Sequence, residues 1–305
     1  MQKTEQIWLD GRFVPWEQAN VHVLTHTLHY GFGVFEGIRY YESGSGRPCV
    51  FRLHEHTERL FGSAHIIGLQ IPFSPEEINA ACLETVRVNR LSAGYLRPLV
   101  FLGDGEMGLA AVHNPVRVAI VTWAWGAYLG EEGVRNGIRV KTSSFQRFHP
   151  NTLMSKAKVV GQYVNSILAS VEAKRAGYDE ALLLDTDGFV AECSGENIFM
   201  LRKGVMKTTP LTSVLPGITR DTVMTLVRER GIELREERFT RDELYIADEV
   251  FMTGTAAEVT PVRELDERRI GAGHPGRLTG ELQAEFVRIT RGLDRRHSDW
   301  LVPVP

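Results

Sequence analysis

The run Asn151-Thr-Leu-Met-Ser-Lys156-Ala-Lys158-Val-Val-Gly-Gln-Tyr163 offers an amine that could hold an aldehyde cofactor as a Schiff base, and Lys158 is the lysine on which that chemistry is placed. A lysine alone is usually a solvated surface charge, so its company decides. Ser194-Gly195-Glu196-Asn197 sets a carboxylate between turn residues just before an apolar strand. An exposed loop acid is the plain alternative, but a pyridine nitrogen needs such a partner if it is to stay protonated and act as an electron sink. In Leu215-Pro216-Gly217-Ile218-Thr219-Arg220-Asp221 the Pro-Gly pair turns the chain, and Thr219 begins a helix whose first N–H groups lack partners and attract phosphate. Thr253-Gly254-Thr255-Ala256-Ala257-Glu258 offers close backbone approach to a second anion. Each stretch could be a plain turn or cap. With the lysine they form one set of amine, pyridine partner and phosphate cradle.

Two other patterns compete. Gly103-Asp-Gly105-Glu-Met-Gly108 matches the dinucleotide fingerprint G-x-G-x-x-G and follows a strand, but such a loop must open a helix, which Ala110-Ala-Val-His-Asn114-Pro115 breaks. A mobile loop is expected instead. His22, His26 and His29, with His54-Glu55-His56, have spacings that share a helical face, yet they form no H-E-x-x-H pair. Solvated or core histidines are therefore expected, with no metal, and a metal-dependent hydrolase is the competing class.

The frame that must position these residues is that of an ordinary globular protein: 305 residues, 43% hydrophobic and 24% charged, long enough for two cores. A net charge of −3 with interspersed signs shows neither a nucleic-acid stripe nor a polybasic membrane segment, so a small molecule is the expected partner. The first residues carry no apolar leader core and no apolar run approaches the roughly 18 residues of a membrane span. A soluble cytoplasmic protein is expected. Cys49, Cys82 and Cys193 are far apart and odd in number, which points to reduced buried thiols.

Hairpins are expected at Ile7 to Val14, around Asp10-Gly11, and between Ile38-Arg-Tyr-Tyr41 and Cys49-Val-Phe51. Helices follow from His54 to Ile67 and after the capping box Ser74-Pro-Glu-Glu77. Tyr95 to Leu102 and Val116 to Trp123 read as strands. Ile138 to Thr142 is a strand and Gly161 to Ala176 a helix, followed by a meander through Leu182, Phe189, Asn197 and Val205. Helices return at Thr219 to Arg230, after the capping box Thr240-Arg-Asp-Glu243, and at Leu282 to Arg291. Strands that follow strands indicate an α+β class in both halves. The Gly-rich stretch 126–135 is the expected interdomain loop, between a small N-terminal α+β domain at 1–125 and a larger C-terminal α+β domain at 136–305.

The chain resembles the class IV aminotransferases, pyridoxal-phosphate enzymes of fold type IV, and within them the bacterial branched-chain amino-acid aminotransferases. The resemblance spans nearly the whole length. It rests on His29-Tyr-Gly-Phe-Gly-Val-Phe35-Glu36-Gly37-Ile-Arg39, Phe51 to Leu60, Tyr95-Leu-Arg97-Pro98, Trp125-Gly-Ala-Tyr128-Leu-Gly, the Lys158 segment, Gly195-Glu196-Asn197, Leu215 to Asp221 and Thr253 to Glu258. It implies pyridoxal 5′-phosphate as cofactor. Lys158, five residues before Tyr163, would be the Schiff-base lysine and the acid/base, in preference to Lys156. Tyr163 would stand near the cofactor's phenolate oxygen and Glu196 at its ring nitrogen. Arg59, Gly217, Ile218, Thr219 and Thr255 would hold the phosphate, and Leu215 would pack on the ring.

For substrate, the resemblance implies that Thr255, Ala256, Ala257 and Tyr95 hold the α-carboxylate, and that Arg97 holds the distal carboxylate of glutamate or 2-oxoglutarate. Phe35, Tyr30, Trp125, Tyr128 and Tyr163 would line an apolar pocket for leucine, isoleucine and valine, and Leu109, beyond the Gly103–Gly108 loop, would be lent by a neighbouring subunit. The implied activity is ping-pong transfer from branched-chain L-amino acids to 2-oxoglutarate, giving branched-chain 2-oxo acids and L-glutamate. A homodimer at least is implied, with a hexamer left open. D-amino-acid transamination and aminodeoxychorismate lysis are the alternatives within the fold type; Tyr95-x-Arg97 and Glu36-Gly-Ile-Arg39 favour the branched-chain group. Met154, Lys156 and Val159-Val160 depart from the smaller residues expected around the lysine.

Overall fold

The computed structural model describes residues 3–126 and 128–305, so the Met1-Gln2 end and Ala127 of the expected linker lie outside the described residues. By contacts the chain forms two compact units. The first comprises Met1–Gly126, Ala157–Gln162 and Arg288–Pro305; the second comprises Ala127–Lys156 and Tyr163–Val287.

In the first unit β1 (Gln6–Leu9) and β2 (Arg12–Pro15) form a hairpin because Asp10 and Gly11 both take positive φ, 48° and 91°, matching the twist of the strands they join. The short helix α1 (His26–Tyr30) ends at Gly31, whose φ of 68° suits glycine. There follow β3 (Gly33–Phe35), β4 (Ile38–Glu42), β5 (Pro48–Phe51), α2 (Leu53–Ile67), α3 (Pro75–Asn89), β6 (Gly94–Leu102) and β7 (Val116–Trp123). At the start of α3 both bonds of the Ser74/Glu77 capping box are made. The antiparallel sheet runs C-terminal strand (Leu301–Pro303), β5, β4, β6, β7, β1, β2, with β3 also on β6. Alternate residues of its strands meet the apolar faces of α2 and α3: Val34, Ile38, Val50, Leu96, Val100 and Ile120 pack with Leu53, Leu60, Ile78 and Val86.

The second unit holds α4 (Gly130–Asn136), β8 (Ile138–Thr142), α5 (Tyr163–Arg175), β9 (Glu180–Leu184), β10 (Val190–Cys193), β11 (Asn197–Arg202), β12 (Val205–Thr208), α6 (Ile218–Glu229), β13 (Glu233–Glu236), α7 (Arg241–Tyr245), β14 (Glu249–Gly254), β15 (Glu258–Leu265) and most of α8 (Arg277–Thr290). Its sheet runs β10, β9, β8, β15, β14, β11, β12, β13 and is mixed, with β8 parallel to β9 and to β15 and β12 parallel to β13. Ile138, Leu182, Ile198, Met200, Phe239, Leu244, Met252 and Val262 share one buried cluster.

Three features differ from the linear division at 126–135. The stretch expected as a loop contains α4. Residues 288–305 belong to the first unit because their strand Leu301–Pro303 pairs with β5. Residues 157–162 also return there, because Val159 bridges to Val34 and Ala157 and Val159 join the first core. Helix α8 begins five residues before the expected Leu282, at Arg277, with Glu249 accepting the Leu278 and Thr279 N–H groups that open it.

Candidate active site

Each unit carries its own group of candidate residues. In the first, the backbone around Lys158 is fastened on three sides. Its N–H donates to Ser63 Oγ on α2 at 3.0 Å, its carbonyl accepts from Phe35 N–H at 3.1 Å, and Gly161 N–H donates to the Gly31 carbonyl at 3.0 Å. Gly31 and Gly161 can approach this closely only as glycines: a Cβ on Gly31 would lie 2.6 Å from Gly161 Cα. A flexible lysine thus stands on a backbone with little freedom.

Lys158 Nζ sits 5.0 Å from the centre of the Phe35 ring, and Arg97 Cζ lies 4.8 Å from the same centre. Arg97 also lies against Tyr95 and Trp123, at 5.5 and 5.6 Å, while Tyr95 meets Trp123 at 5.2 Å and Trp125 at 4.7 Å. The register of β6 on β7, which pairs Tyr95 with Trp123, builds this wall. Arg97 Nε is buried and has no hydrogen-bond partner among the described residues. Phe35, Tyr95, Arg97 and Trp125 are thus brought together with Lys158, and Trp123 joins them although it was read from the sequence only as the end of a strand.

Gly37 makes room for this wall, since a Cβ there would overlap the Tyr95 hydroxyl. Gly37→Ala is expected to displace Tyr95 and raise KM for substrate about tenfold or more, with a melting temperature within a few degrees of wild type; steady-state kinetics beside a thermal scan checks this. An unchanged KM would show that Tyr95 has no part in binding.

Arg59 is placed on α2 with one edge already engaged: Nε and Nη2 donate to the two oxygens of Glu36 at 2.7 and 2.9 Å. Glu36 Oε2 also takes the Nδ1–H of His56 at 2.7 Å. Glu36 is fully buried. Burial alone would raise its pKa, but the charge of Arg59 and the hydrogen bonds from His56 and Arg59 outweigh it and hold the carboxyl far below its ordinary range. Burial pushes the His56 pKa down, opposed by Glu36, so the ring is neutral and donates from Nδ1. Sequence reading missed Glu36 and His56 as parts of the site, because nothing in their spacing announces a contact with Arg59. Tyr30 is 42% exposed with its ring 4.6 Å from that of His26, and Leu109 is 84% exposed in the 103–115 connection, where Gly103 to Gly108 opens no helix.

In the second unit Glu196 is not an exposed loop acid: it is 4% exposed, in the turn between β10 and β11, and accepts the Gly195 N–H at 3.1 Å. Gly217 is the extended residue before α6 and supplies no side-chain cap, so the first N–H groups of that helix, from Ile218 and Thr219, are left to another acceptor. Leu215 and Pro216 precede it, half-buried. Thr255, Ala256 and Ala257 form the loop between β14 and β15, whose tight path puts Glu258 at a φ of 54°. Just before it, Thr253 Oγ1 is buried with no partner among the described residues. Tyr163 opens α5, half-buried, and Tyr128 is 39% exposed before α4.

The two lysines are separated by this division. Lys156 Nζ donates to the Val214 carbonyl at 3.5 Å, and burial lowers its pKa although Glu192 opposes the shift. Of the histidines, His26 meets the Gly108 carbonyl and His29 the Val23 carbonyl, at 3.0 and 2.9 Å. No group of three metal-ligating side chains occurs among the described residues. No helix among them is long and apolar enough to cross a membrane.

Residues 33–265 match the family model described as amino-transferase class IV. A branched-chain-amino-acid aminotransferase of Pseudomonas aeruginosa is 54% identical over 294 residues, covering 96% of this chain and 95% of that protein. The crystal structure of the Escherichia coli branched-chain amino acid aminotransferase superposes with a TM-score of 0.97 at 45% identity, over 99% of this chain and 100% of that one. The branched-chain amino acid aminotransferase from Thermobaculum terrenum, in its PLP-bound holo form, gives a TM-score of 0.93 at 35% identity over 100% of both chains. With the family model matching most of the chain and the likeness to the solved structures running end to end, the chain belongs to the class IV amino-transferases, in their branched-chain-amino-acid group.

Proposed function

We propose that this protein transfers the amino group of leucine, isoleucine and valine to 2-oxoglutarate by a ping-pong reaction with pyridoxal 5′-phosphate, and that Lys158 is its catalytic residue. The observation that carries the reading is the pairing of Lys158 and Arg97 on the Phe35 ring, with Arg97 Nε buried and unpartnered. An amine and an uncommitted guanidinium beside apolar walls suit substrates that share an amino-acid head and differ in a distal carboxylate.

The residues present fit the cofactor: the uncapped start of α6, the buried Thr253 hydroxyl without a partner and the buried Glu196 match a phosphate and a protonated ring nitrogen. Bound pyridoxal phosphate supplies the electron sink that stabilises charge at the substrate Cα. The chain's own groups do the rest. Lys158 Nζ takes and returns the proton at Cα. Glu196 keeps the ring nitrogen protonated, and Tyr163 donates to the phenolate oxygen. Gly217, Ile218, Thr219, Thr255 and Arg59 hold the phosphate, and Leu215 packs on the ring. The Thr255-Ala256-Ala257 backbone and the Tyr95 hydroxyl bind the α-carboxylate. Phe35, Tyr30, Trp125, Tyr128, Tyr163 and Leu109 surround the apolar side chain, discriminating by only about 1–3 kcal/mol per methylene, so all three branched amino acids react.

Arg97 carries the dicarboxylate half of the reaction. Arg97→Met is expected to lower kcat/KM for glutamate about 10- to 150-fold, the worth of charge-assisted hydrogen bonds, while the single-turnover half-reaction with leucine changes less than about threefold. Equal losses for the two donors would contradict the assignment.

A homodimer is the proposed minimum unit, with assembly to a hexamer compatible with it. Supporting it, Val23 is 70% exposed, Leu28 63% and Leu109 84% in the first unit. In the second, Val164, Ile167, Leu168 and Val171 form an exposed apolar stripe at helical spacing on α5. The cytoplasm is the proposed location.

A further inference from the structure

His26 and the Gly103–Gly108 loop, each conspicuous in the sequence for a different chemistry, meet in the first unit. His26 is buried on α1, and its Nε2 donates to the Gly108 carbonyl at 3.0 Å while its backbone N–H donates to the Gly103 carbonyl at 3.1 Å. One residue thus grips the loop at both ends. Its Nδ1 is buried with no partner among the described residues, so the bond to Gly108 is the polar contact that fixes the ring. Asn114, also buried, closes the loop from within: Oδ1 accepts the Glu106 N–H at 3.0 Å, and Nδ2 donates to the Glu106 and Gly103 carbonyls at 2.9 and 3.3 Å. Gly105 passes so close to this amide that a Cβ there would lie 2.6 Å from Asn114 Oδ1. The loop expected to be mobile is therefore tied down by two buried side chains. Leu109, the residue it presents, is exposed.

We propose that His26 and Asn114 are positioning residues for substrate selectivity, which hold the 103–108 loop against α1 so that Leu109 is presented in a preformed position. This rests on the reading of Leu109 as a residue lent to the apolar pocket of a second copy. A leucine on a free loop spends backbone conformational entropy each time it is buried against a ligand, whereas a tied loop has lost that freedom beforehand. Neither positioning residue touches the substrate. His26 acts through the Gly108 carbonyl, next to Leu109, and Asn114 through the turn before it. Amino acids long enough to reach Leu109 gain from the tie, and those whose side chain stops at Cβ do not.

The test measures single-turnover kcat/KM of the holoenzyme with L-leucine and with L-alanine, and takes their ratio as the selectivity. Leu109→Ala is expected to lower that ratio about tenfold or more. His26→Phe, which keeps a ring beside Tyr30 but removes the donor to Gly108, and Asn114→Ala are each expected to lower it about 3- to 10-fold, with the rate for alanine changed less than about twofold. His26→Gln restores an amide donor and is expected to recover the ratio to within about twofold of wild type. On a Leu109→Ala background His26→Phe and Asn114→Ala change the ratio less than about twofold, a non-additivity that general loosening does not produce. Should Asn114→Ala fail to fold, the His26 variants decide alone. Equal losses for the two donors, the same loss with and without Leu109, or a His26→Gln variant no better than His26→Phe would overturn the proposal. An unchanged ratio in Leu109→Ala itself would overturn the reading of Leu109 and the proposal with it.

Discussion

Lys158→Ala is expected to lower turnover of L-leucine with 2-oxoglutarate by about 10⁴-fold or more, with the melting temperature of the apoprotein little changed. Acid/base catalysis by a positioned group contributes about 10²–10⁴ alone, and this lysine is also proposed to hold the cofactor covalently. The fold should survive because the site is fixed by backbone bonds that alanine keeps: Lys158 N–H to Ser63, its carbonyl to Phe35 N–H, and the bridge from Val159 to Val34. Lys156→Ala is the control. That lysine has the lowered pKa, a trait often found in reactive amines, but burial accounts for it and its amine is bonded to the Val214 carbonyl. Its loss is expected to reduce turnover about tenfold or less, through the chain around Val214. Stopped assays at saturating cofactor compare the two, and a larger loss for Lys156→Ala would reverse the assignment.

Glu36→Ala is expected to destabilise the protein by about 3–5 kcal/mol, because it removes the buried carboxylate that His56 and Arg59 share and leaves the Arg59 guanidinium, 12% exposed, without its bidentate acceptor. Cofactor affinity should fall with it, as Arg59 loses the contact that orients its fork. The network also fixes a pH dependence. Glu36 has a depressed folded pKa, so its contribution is complete above the unfolded carboxylate value of about 4.3 and is lost as pH falls toward the far lower folded value. His56, also depressed, is protonated first in the unfolded chain, so stability falls as pH drops below about 6.5. The charged groups bearing on this ring are Glu36 from the β3–β4 connection, Arg59 from its own helix and Lys158. Urea unfolding of wild type between pH 7.5 and 5 is therefore expected to show declining stability, and His56→Gln, which keeps a donor for Glu36, a smaller decline. An equal slope in the two proteins would show that His56 is not the titrating group.

Legibility in the sequence followed the range of the interactions. The Asp10-Gly11 hairpin and the Ser74 and Thr240 capping boxes are set by a few consecutive residues and stand where the sequence places them. The turn around Glu196 was legible as a turn, but its burial was not, since that depends on strands β10 and β11 entering the second sheet. His56 and Arg59 share a face of α2 at i,i+3 spacing, but Glu36 lies 20 and 23 residues before them, and neither helical nor strand periodicity brings it to that face. The return of residues 157–162 and 288–305 to the first unit is likewise a matter of tertiary pairing, through Val34 and β5. Resemblance supplied what periodicity could not: the preference for Lys158 over Lys156, its neighbour two residues away.

Borohydride reduction of the holoenzyme followed by peptide mapping shows which lysine holds the cofactor covalently. The reduced cofactor is expected on the peptide containing Lys158, with Lys156→Ala labelled as fully as wild type and Lys158→Ala not labelled. Label on Lys156, or persistent labelling of Lys158→Ala together with its loss in Lys156→Ala, would contradict the assignment of Lys158.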